Sequence, residues 1–178
     1  MAGDERIRLF CALQLPADVV GVLARWQTEH VSAGRVVPAE HLHATLVFLG
    51  SRPSAEVPEI AAELAESAAG AGNVRLFPRR YRETGSVGMI VFDDVGGAGS
   101  RLAAELGLRL ERRGLYRRER RPWLPHVTVT RFRERPLLDP PLPLLAEFGV
   151  VRAALYSSLL RPSGARYDVL ESVALGGR

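Results

Sequence analysis

The sequence predicts an α+β fold made of two lobes that face each other, and two observations support this prediction. The first is the predicted order of elements along the 178 residues: strand, helix, strand, helix, strand, strand, helix, strand, strand, strand. The second is a His-x-Thr-apolar tetrad that occurs twice, at 43–46 and 126–129, each time in a strand that follows a helix. These features indicate an internal duplication, with one tetrad in each lobe.

The first half of the chain alternates strand and helix patterns. Apolar residues alternate with others over 6–14, which predicts a half-buried strand. Apolar residues at helical spacing predict a helix from Pro16 to about His30. The strand of the first tetrad is expected to stop at Gly50, before a second helix at about 54–69.

The second half continues this alternation. An exposed basic loop is expected at 78–85 between two strands, and a glycine-rich turn precedes the third helix. The proline-rich segment 136–143 separates the second tetrad from the last two strands. The expected bounds of the remaining strands and of the third helix are 74–77, 87–92, 100–113, 126–132, 150–159 and 167–175.

The composition is that of a soluble globular domain and excludes several kinds of chemistry. Hydrophobic residues make up 47% of the chain and charged residues 25%. All 24 basic residues are arginine, so a lysine Schiff base, a lysyl-nucleotide intermediate and a lysine-containing P-loop are impossible. The net charge of +4 and the planar fork of arginine suit an anionic partner.

The sequence also suggests a cellular location. No stretch approaches the roughly 18 uninterrupted apolar residues of a membrane-spanning helix. The N-terminus begins acidic and resembles no signal peptide. Cys11, the single cysteine, is expected to be a small buried apolar residue in its strand. We therefore expect a cytoplasmic protein without a disulfide.

The two tetrads carry the candidate chemistry. Side chains two residues apart share one face of a strand, so His43 projects with Thr45, and His126 with Thr128. Because histidine has an ordinary pKa of about 6.5, one imidazole can act as a base while the other acts as an acid. Threonine hydroxyls can donate hydrogen bonds to phosphate oxygens. The opposite, apolar face of the first strand is expected to comprise Leu42, Ala44, Leu46 and Phe48.

A metal site is an alternative for the first tetrad. His41 and His43 are two residues apart, and two imidazoles on one strand face can hold zinc or another transition metal. Apart from Glu40, no carboxylate accompanies either tetrad at metal-ligand spacing. We therefore expect no metal, with His41 at the start of the strand or as a partner of the site.

A run of arginines over 109–121 leads towards the second tetrad. At least half of these side chains are expected to be solvated surface groups. The run could still attract a nucleic-acid backbone, and Tyr116 and Trp123 could stack on a base.

Arg131 poses a problem of orientation. By strict alternation it lies on the face opposite His126. It can reach the same phosphate only if the strand twists, contains a bulge or ends there.

The chain resembles the two-histidine (2H) phosphoesterases, in particular the bacterial RNA 2′,3′-cyclic phosphodiesterases, also called 2′-5′ RNA ligase-like proteins. The resemblance spans nearly the whole chain. It depends most on the two tetrads together with their flanking residues. The matching segments are Arg8-Leu9-Phe10-Cys11-Ala12-Leu13, His43-Ala44-Thr45-Leu46-Val47-Phe48-Leu49-Gly50, Pro125-His126-Val127-Thr128-Val129-Thr130-Arg131, Leu155-Tyr156-Ser157-Ser158 and Gly164-Ala165-Arg166-Tyr167.

The resemblance implies a single bilobal domain over 1–178, with antiparallel sheets lining a central cleft and helices outside. It implies metal-independent hydrolysis of the 2′,3′-cyclic phosphate at RNA 3′ ends to a 2′-phosphate, without a cofactor, by a monomer that binds RNA or a nucleotide. The resemblance makes His43 and His126 the acid–base pair. It makes Thr45, Thr128 and Arg131 the phosphate-binding residues. Two mild departures, Ala44 where leucine is frequent and Thr130 where alanine is usual, do not touch the chemistry.

Other functions remain open from the sequence. The same site could join RNA ends through a 2′-5′ bond, using only the energy of the cyclic ring because no lysine is available for adenylylation. The chain could be a non-catalytic RNA-binding module, or a metal-dependent hydrolase that uses His41 and His43. Small cyclic phosphates, such as those on ADP-ribose, are further possible substrates.

Overall fold

The structure, a computed structural model, describes residues 5–176 and contains two antiparallel sheets and three helices. The elements in chain order are β1 (Arg6–Gln14), α1 (Ala17–His30), β2 (Arg35–Val36), β3 (His43–Pro53), α2 (Val57–Ala69), β4 (Val74–Glu83), β5 (Val87–Val95), α3 (Ala98–Arg112), β6 (His126–Arg131), β7 (Phe148–Val150), β8 (Arg152–Arg161) and β9 (Gly164–Ala174). The predicted α+β class is confirmed.

The two tetrads lie in different sheets. The first sheet has the strand order β3-β1-β8-β9, and the second has the order β2-β6-β5-β4-β7. The first tetrad is on β3, at one edge of the first sheet, and the second is on β6, beside the short edge strand β2. Because β3 and β6 contact each other, the sheets meet along their tetrad strands.

The sheets do not correspond to the two halves of the sequence. A unit of strand, helix and antiparallel tetrad strand does occur twice, as β1-α1-β3 and as β5-α3-β6. However, β8 and β9 return from the C-terminal part of the chain to complete the first sheet. Conversely, β2 belongs to the N-terminal part of the chain but pairs with β6 in the second sheet. Each lobe is therefore built from both ends of the chain.

The helices pack through buried apolar residues and three buried polar ones, Gln27, Glu63 and Ser67. On α1, the Gln27 amide is buried and donates a hydrogen bond of 2.8 Å to the Val129 carbonyl on β6. Helices α2 and α3 lie together, and the Glu63 carboxylate between them accepts from Arg109 and Arg113 at 3.2 and 2.9 Å. No helix within residues 5–176 is long and apolar enough to cross a membrane.

The prediction of an exposed basic loop at 78–85 is wrong, because β4 continues to Glu83 and forms a hairpin with β5. Strand β7 pairs only with residues 74–76, so the rest of β4 is an edge of the sheet. An edge strand tolerates proline and exposed charges, and the pairing with β5 shifts by one residue just after Pro78. The polar composition reflects this exposed edge rather than a loop.

The expectation of a half-buried β1 is also wrong. Both faces of the strand are covered, since Phe10 is 3% exposed and Ala12 is 0% exposed. Cys11 is buried as expected, and burial raises the pKa of its thiol to about 12. Strand β3 runs to Pro53, beyond its expected end at Gly50. Helices α1, α2 and α3 begin and end close to their expected bounds.

Candidate active site

Strands β3 and β6 bring the predicted site residues to one cavity of about 70 Å³. These residues come from two sheets and are separated by 83 positions in the sequence, taking 126 minus 43 from the histidines. The lining consists of the five predicted residues His43, Thr45, His126, Thr128 and Arg131, together with Val37, His41 and Tyr167. The predicted convergence of the two tetrads is thus present in the structure.

Both imidazoles are oriented by the backbone in the same way. Nδ1 of His43 lies 2.7 Å from the carbonyl oxygen of His41, and Nδ1 of His126 lies 2.8 Å from that of Leu124. Because a carbonyl only accepts, each Nδ1 carries the proton. The Nε2 atom of each neutral imidazole is then left as an acceptor. For His43 this atom lies 3.1 Å from Oγ1 of Thr45.

Aromatic rings surround His43. Its imidazole stacks on Phe10 at 4.8 Å between ring centroids, and the rings of Tyr167 and Tyr156 lie at 5.6 and 6.0 Å. Burial among these rings lowers the pKa of His43 from 6.5 to about 4; the hydrogen bond to the His41 carbonyl opposes this shift, and the positive charge of Arg131 adds to it. His43 is therefore neutral at neutral pH.

A bulge in β6 accounts for the orientation of Arg131. Thr128 pairs with Met89 and Thr130 pairs with Gly88, so Val129 is an extra residue without a partner on β5. One extra residue reverses the alternation beyond it. As a result Thr130 is buried, whereas Arg131 projects into the same cavity as His126.

The first tetrad strand contains the same bulge at the equivalent position. Thr45 and Val47 pair with Ala12 and Cys11, so Leu46 is unpaired. Phe48 therefore occupies on β3 the position that Arg131 occupies on β6. The expectation that Phe48 belongs to the apolar buried face is wrong, because its side chain is 50% exposed and lines a second cavity beside the histidines.

This second cavity, of about 430 Å³, opens next to the first and shares four lining residues with it: His43, Thr45, Arg131 and Tyr167. Sequence reasoning missed Arg8, Arg35 and Arg161, which also line it. They are far apart in the sequence and on three different strands, so only the pairing of the strands reveals that they converge.

His41 does not share a strand face with His43. It lies at the end of a 3-10 turn at 39–41, and its ring contacts Tyr167 at 4.5 Å between centroids. Its backbone carbonyl orients the His43 imidazole, so its role as a partner of the site comes through the main chain. Within residues 5–176, no three His, Cys, Asp or Glu side chains are grouped so that they could hold a metal ion.

Most arginines of the run over 109–121 are exposed at the surface, as expected, and several form ion pairs. Arg109 and Arg113 pair with Glu63 on α2, and Arg118 pairs with Glu111. The rings of Tyr116 and Trp123 pack against the core. Trp123 also donates a hydrogen bond of 2.8 Å to the carbonyl of Thr45, which ties the segment before β6 to β3. Phe48 is an exposed aromatic ring beside the histidines, whereas Tyr116 and Trp123 are partly buried.

Comparison with known proteins identifies the family. The profile of the family described as "LigT like Phosphoesterase" matches residues 13–85. The RNA 2′,3′-cyclic phosphodiesterase of Thermus thermophilus is 33% identical over 188 residues, which cover 96% of this chain and 91% of that protein. This chain belongs to the LigT-like phosphoesterase family.

Further relatives agree with the LigT-like assignment over the full length. The RNA 2′,3′-cyclic phosphodiesterase of Escherichia coli is 29% identical over 189 residues, covering 97% of this chain and 98% of that protein. The crystal structure of E. coli LigT complexed with 3′-AMP matches with a TM-score of 0.82 at 25% identity, over 96% of this chain and 99% of that one. The resemblance drawn from the tetrads and the predicted fold class are confirmed.

Proposed function

We propose that this protein is an RNA 2′,3′-cyclic phosphodiesterase that hydrolyses the cyclic phosphate at RNA 3′ ends to a 2′-phosphate without a metal ion. The observation that carries this proposal is the cavity between β3 and β6. There two backbone-oriented imidazoles line one space together with Thr45, Thr128 and Arg131. Membership of the LigT-like family, with relatives named RNA 2′,3′-cyclic phosphodiesterase, supports the same reaction.

In the proposed reaction the two histidines act from opposite sides of the phosphorus. One imidazole takes a proton from water as its oxygen bonds to phosphorus, and the other gives a proton to the departing 3′-oxygen as the bond from phosphorus to that oxygen breaks. The lowered pKa of His43 favours it as the base, because its Nε2 is unprotonated at neutral pH. His126 then acts as the acid: it enters the reaction as the imidazolium, keeps its Nδ1 proton on the Leu124 carbonyl and gives its Nε2 proton to the 3′-oxygen.

The remaining polar groups bind the phosphate. Hydroxyls of Thr45 and Thr128 and the guanidinium of Arg131 donate to the non-bridging oxygens, where negative charge grows in the transition state. The single hydroxyl proton of Thr45, directed at Nε2 of His43 in this structure, turns to the phosphate when substrate binds and leaves Nε2 free to accept from water. Strain in the five-membered ring also favours opening. This assignment uses the chain's own residues for every proton transfer, with no cofactor or metal.

Both histidines come from one chain, so we propose that the whole chain of 178 residues acts as one domain and that a monomer is sufficient. We further propose that the protein acts on RNA in the cytoplasm. The LigT structure complexed with 3′-AMP supports a nucleotide or RNA substrate.

The test is hydrolysis of a short RNA with a 2′,3′-cyclic phosphate end in the presence of excess chelator. We expect a 2′-phosphate product, and a loss of about 10²- to 10⁴-fold in kcat for either His43→Ala or His126→Ala. His30→Ala is the matched control, since His30 lies at the end of α1 away from the cavity. Full activity of His43→Ala would contradict the proposal.

The alternatives give different results in the same samples. Joined tRNA half-molecules would indicate 2′-5′ ligation at this site. Salt-dependent RNA binding without any product would indicate a binding module. Loss of wild-type activity on chelation would indicate a metal-dependent hydrolase.

A further inference from the structure

We propose that the second cavity binds a phosphate attached to the O5′ atom of the nucleotide whose cyclic phosphate is opened. The protein would therefore prefer an RNA end, or a 5′-phosphorylated nucleotide, to a nucleoside 2′,3′-cyclic phosphate. This inference deepens the proposed function and depends on it. The two cavities share His43, Thr45, Arg131 and Tyr167, so one ligand can extend from the first into the second.

The charge of the second cavity is the first argument. Four arginines line it, Arg8, Arg35, Arg131 and Arg161, and no acidic residue is among the lining residues that the structure describes. Over residues 5–176, no carboxylate oxygen lies within 4.0 Å of any of these four guanidinium groups. Elsewhere in the chain, arginines such as Arg52 and Arg109 are paired with glutamates.

Unpaired arginines that converge on one space repel one another unless an anion joins them. The cyclic phosphate is a single diester charge in the smaller cavity, where Arg131 already lies. A second phosphate would engage the arginines that do not line this smaller cavity. Guanidinium groups suit phosphate because their fixed fork donates two parallel hydrogen bonds.

The structure holds these arginines from both sheets. Arg8 on β1 has its Cζ atom 5.3 Å from the centre of the Phe48 ring, a cation–π contact. Arg161 ends β8 at the hairpin to β9. Arg35 comes from β2 in the other sheet, and its Nη1 lies only 3.2 Å from where a Cβ atom of Gly164 would be. The guanidinium of Arg35 thus reaches across to this hairpin.

The buried hydroxyl of Thr130 holds the backbone of β2 in place and thereby keeps Arg35 beside the second cavity. Oγ1 of Thr130 lies 3.1 Å from the carbonyl oxygen of Ala33 and 3.3 Å from that of Arg35, and its single proton is shared between them. Thr130 is 0% exposed and pairs with Val36 across the sheet. It therefore fixes β2 against β6 and keeps Arg35 beside the cavity.

The kinetic test compares one substrate with a single phosphate, adenosine 2′,3′-cyclic phosphate, with two substrates that carry a second phosphate on O5′: its 5′-phosphorylated form and the dinucleotide ApA with a 2′,3′-cyclic end. We expect kcat/KM to be at least about 10-fold higher for the two substrates with a second phosphate, as charge-assisted hydrogen bonds predict. Arg161→Gln and Arg35→Gln should remove most of this gain. Both variants should leave kcat/KM for the adenosine substrate within about 2-fold.

Arg25→Gln is the matched control, because Arg25 is an exposed arginine on α1 that lines neither cavity. A gain for the dinucleotide alone would identify an internucleotide diester as the ligand, and a gain for both would identify phosphate of either kind. Equal kcat/KM for all three substrates would overturn the proposal. So would a gain that survives in both arginine variants.

A binding experiment separates this proposal from the proposed function. Adenosine 2′-phosphate and adenosine 2′,5′-bisphosphate are titrated by calorimetry into the wild-type protein and into Arg161→Gln. We expect the bisphosphate to bind at least about 10-fold more tightly to the wild type, and the difference to shrink in the variant. Equal affinities would overturn the second site, whereas absence of hydrolysis with unequal affinities would reject only the catalytic proposal.

Discussion

Among single residues, His43 stands in the candidate site with surroundings that change its acid–base chemistry. The rings of Phe10, Tyr156 and Tyr167 cover part of its imidazole, while the His41 carbonyl determines which nitrogen carries its proton. These contacts lower its pKa to about 4 and keep the imidazole neutral. A neutral imidazole beside a threonine hydroxyl is ready to accept a proton from water.

The pH profile should show this shift. If His43 is the base, protonation of its imidazole should lower kcat/KM as the pH falls through about 4, rather than as it falls through 6.5. A proton NMR titration of the His43 ring, assigned with His43→Ala, measures the same ionisation directly. A midpoint near 6.5 would contradict the buried environment.

The lowered pKa of His43 also affects stability. Between pH 6.5 and about 4 the unfolded chain binds a proton at this position that the folded chain does not. Stability contributed by neutral His43 is therefore present above pH 6.5 and lost as the pH falls towards 4.

Glu83 is a second residue with unusual surroundings. Its side chain is 2% exposed, and its carboxylate accepts hydrogen bonds from the Tyr81 hydroxyl, the Arg135 guanidinium and the backbone N–H groups of Leu137 and Leu138. Burial alone would raise its pKa, but these donors, the Leu138 N–H foremost, lower it overall. Leu137 has a positive φ of 58°, which is unfavourable for leucine, so the carboxylate also stabilises a strained backbone conformation in the proline-rich connection.

Glu83→Gln should destabilise the protein by about 3 kcal/mol, because the amide places a donor among four donors. Urea unfolding at pH 7 measures the change. Arg135→Gln is the control and should cost less than about 1 kcal/mol, since Arg135 is more than half exposed. Because the pKa of Glu83 is lowered in the folded protein, the difference between wild type and Glu83→Gln should shrink as the pH falls below the ordinary range of a glutamate and through this lowered pKa. Equal effects of the two substitutions would refute this account.

At the scale of elements, the two bulged strands position the site. Each places a histidine and a threonine on one face, and an extra residue, Leu46 or Val129, turns the residue two positions later to the same face. Gly88 lies opposite the bulge in β6. A Cβ atom there would collide with the Tyr81 hydroxyl and would lie 2.7 Å from Cγ2 of Thr130.

Gly88→Ala should therefore destabilise the protein by about 1–3 kcal/mol, because neither neighbour is free to move. Gly149→Ala is the matched control. Gly149 is also in a strand, and nothing lies within 4 Å of its added methyl group, so its effect should stay within about 0.5 kcal/mol. Thermal unfolding of both variants measures the difference; similar melting temperatures would show that β5 adjusts around Gly88.

Local patterns in the sequence are sufficient to predict the three helices and the two tetrad strands. Periodicity identifies α1, α2 and α3 because each buries one apolar face. The same reasoning placed Phe48 on the wrong face of its strand and did not decide the face of Arg131. Both depend on a bulge, and a bulge depends on pairing with a partner strand that the local sequence does not specify. It also missed β2, since two residues paired with a distant strand carry no periodicity.

On the scale of the whole molecule, long-range pairing creates the features that the sequence hides. The arginines of the second cavity come from β1, β2, β6 and β8, which lie far apart along the chain. Trp123 adds a link between the lobes by donating its indole N–H to Thr45 on β3. The site is therefore a property of the packed lobes rather than of either tetrad alone.

The charge of this assembled surface predicts a salt dependence. Salt screens the attraction between arginines and phosphate, so a substrate with two bound phosphates should be more sensitive to salt than one with a single phosphate. The dinucleotide substrate should therefore lose kcat/KM more steeply with salt than adenosine 2′,3′-cyclic phosphate does, and Arg161→Gln should reduce this difference. Parallel salt plots for the two substrates would contradict a second bound phosphate.

The matching bulges of β3 and β6 present different side chains, Phe48 on one strand and Arg131 on the other. With identical side chains there, the cleft would look alike from either flank, and a ribose could enter in two opposite directions. The phenyl ring on β3 and the guanidinium on β6 instead make the two strands chemically different beside the histidines. Under the proposed reaction, the ribose then binds in one orientation between the imidazoles, and ring opening yields the 2′-phosphate instead of a mixture of 2′- and 3′-phosphates.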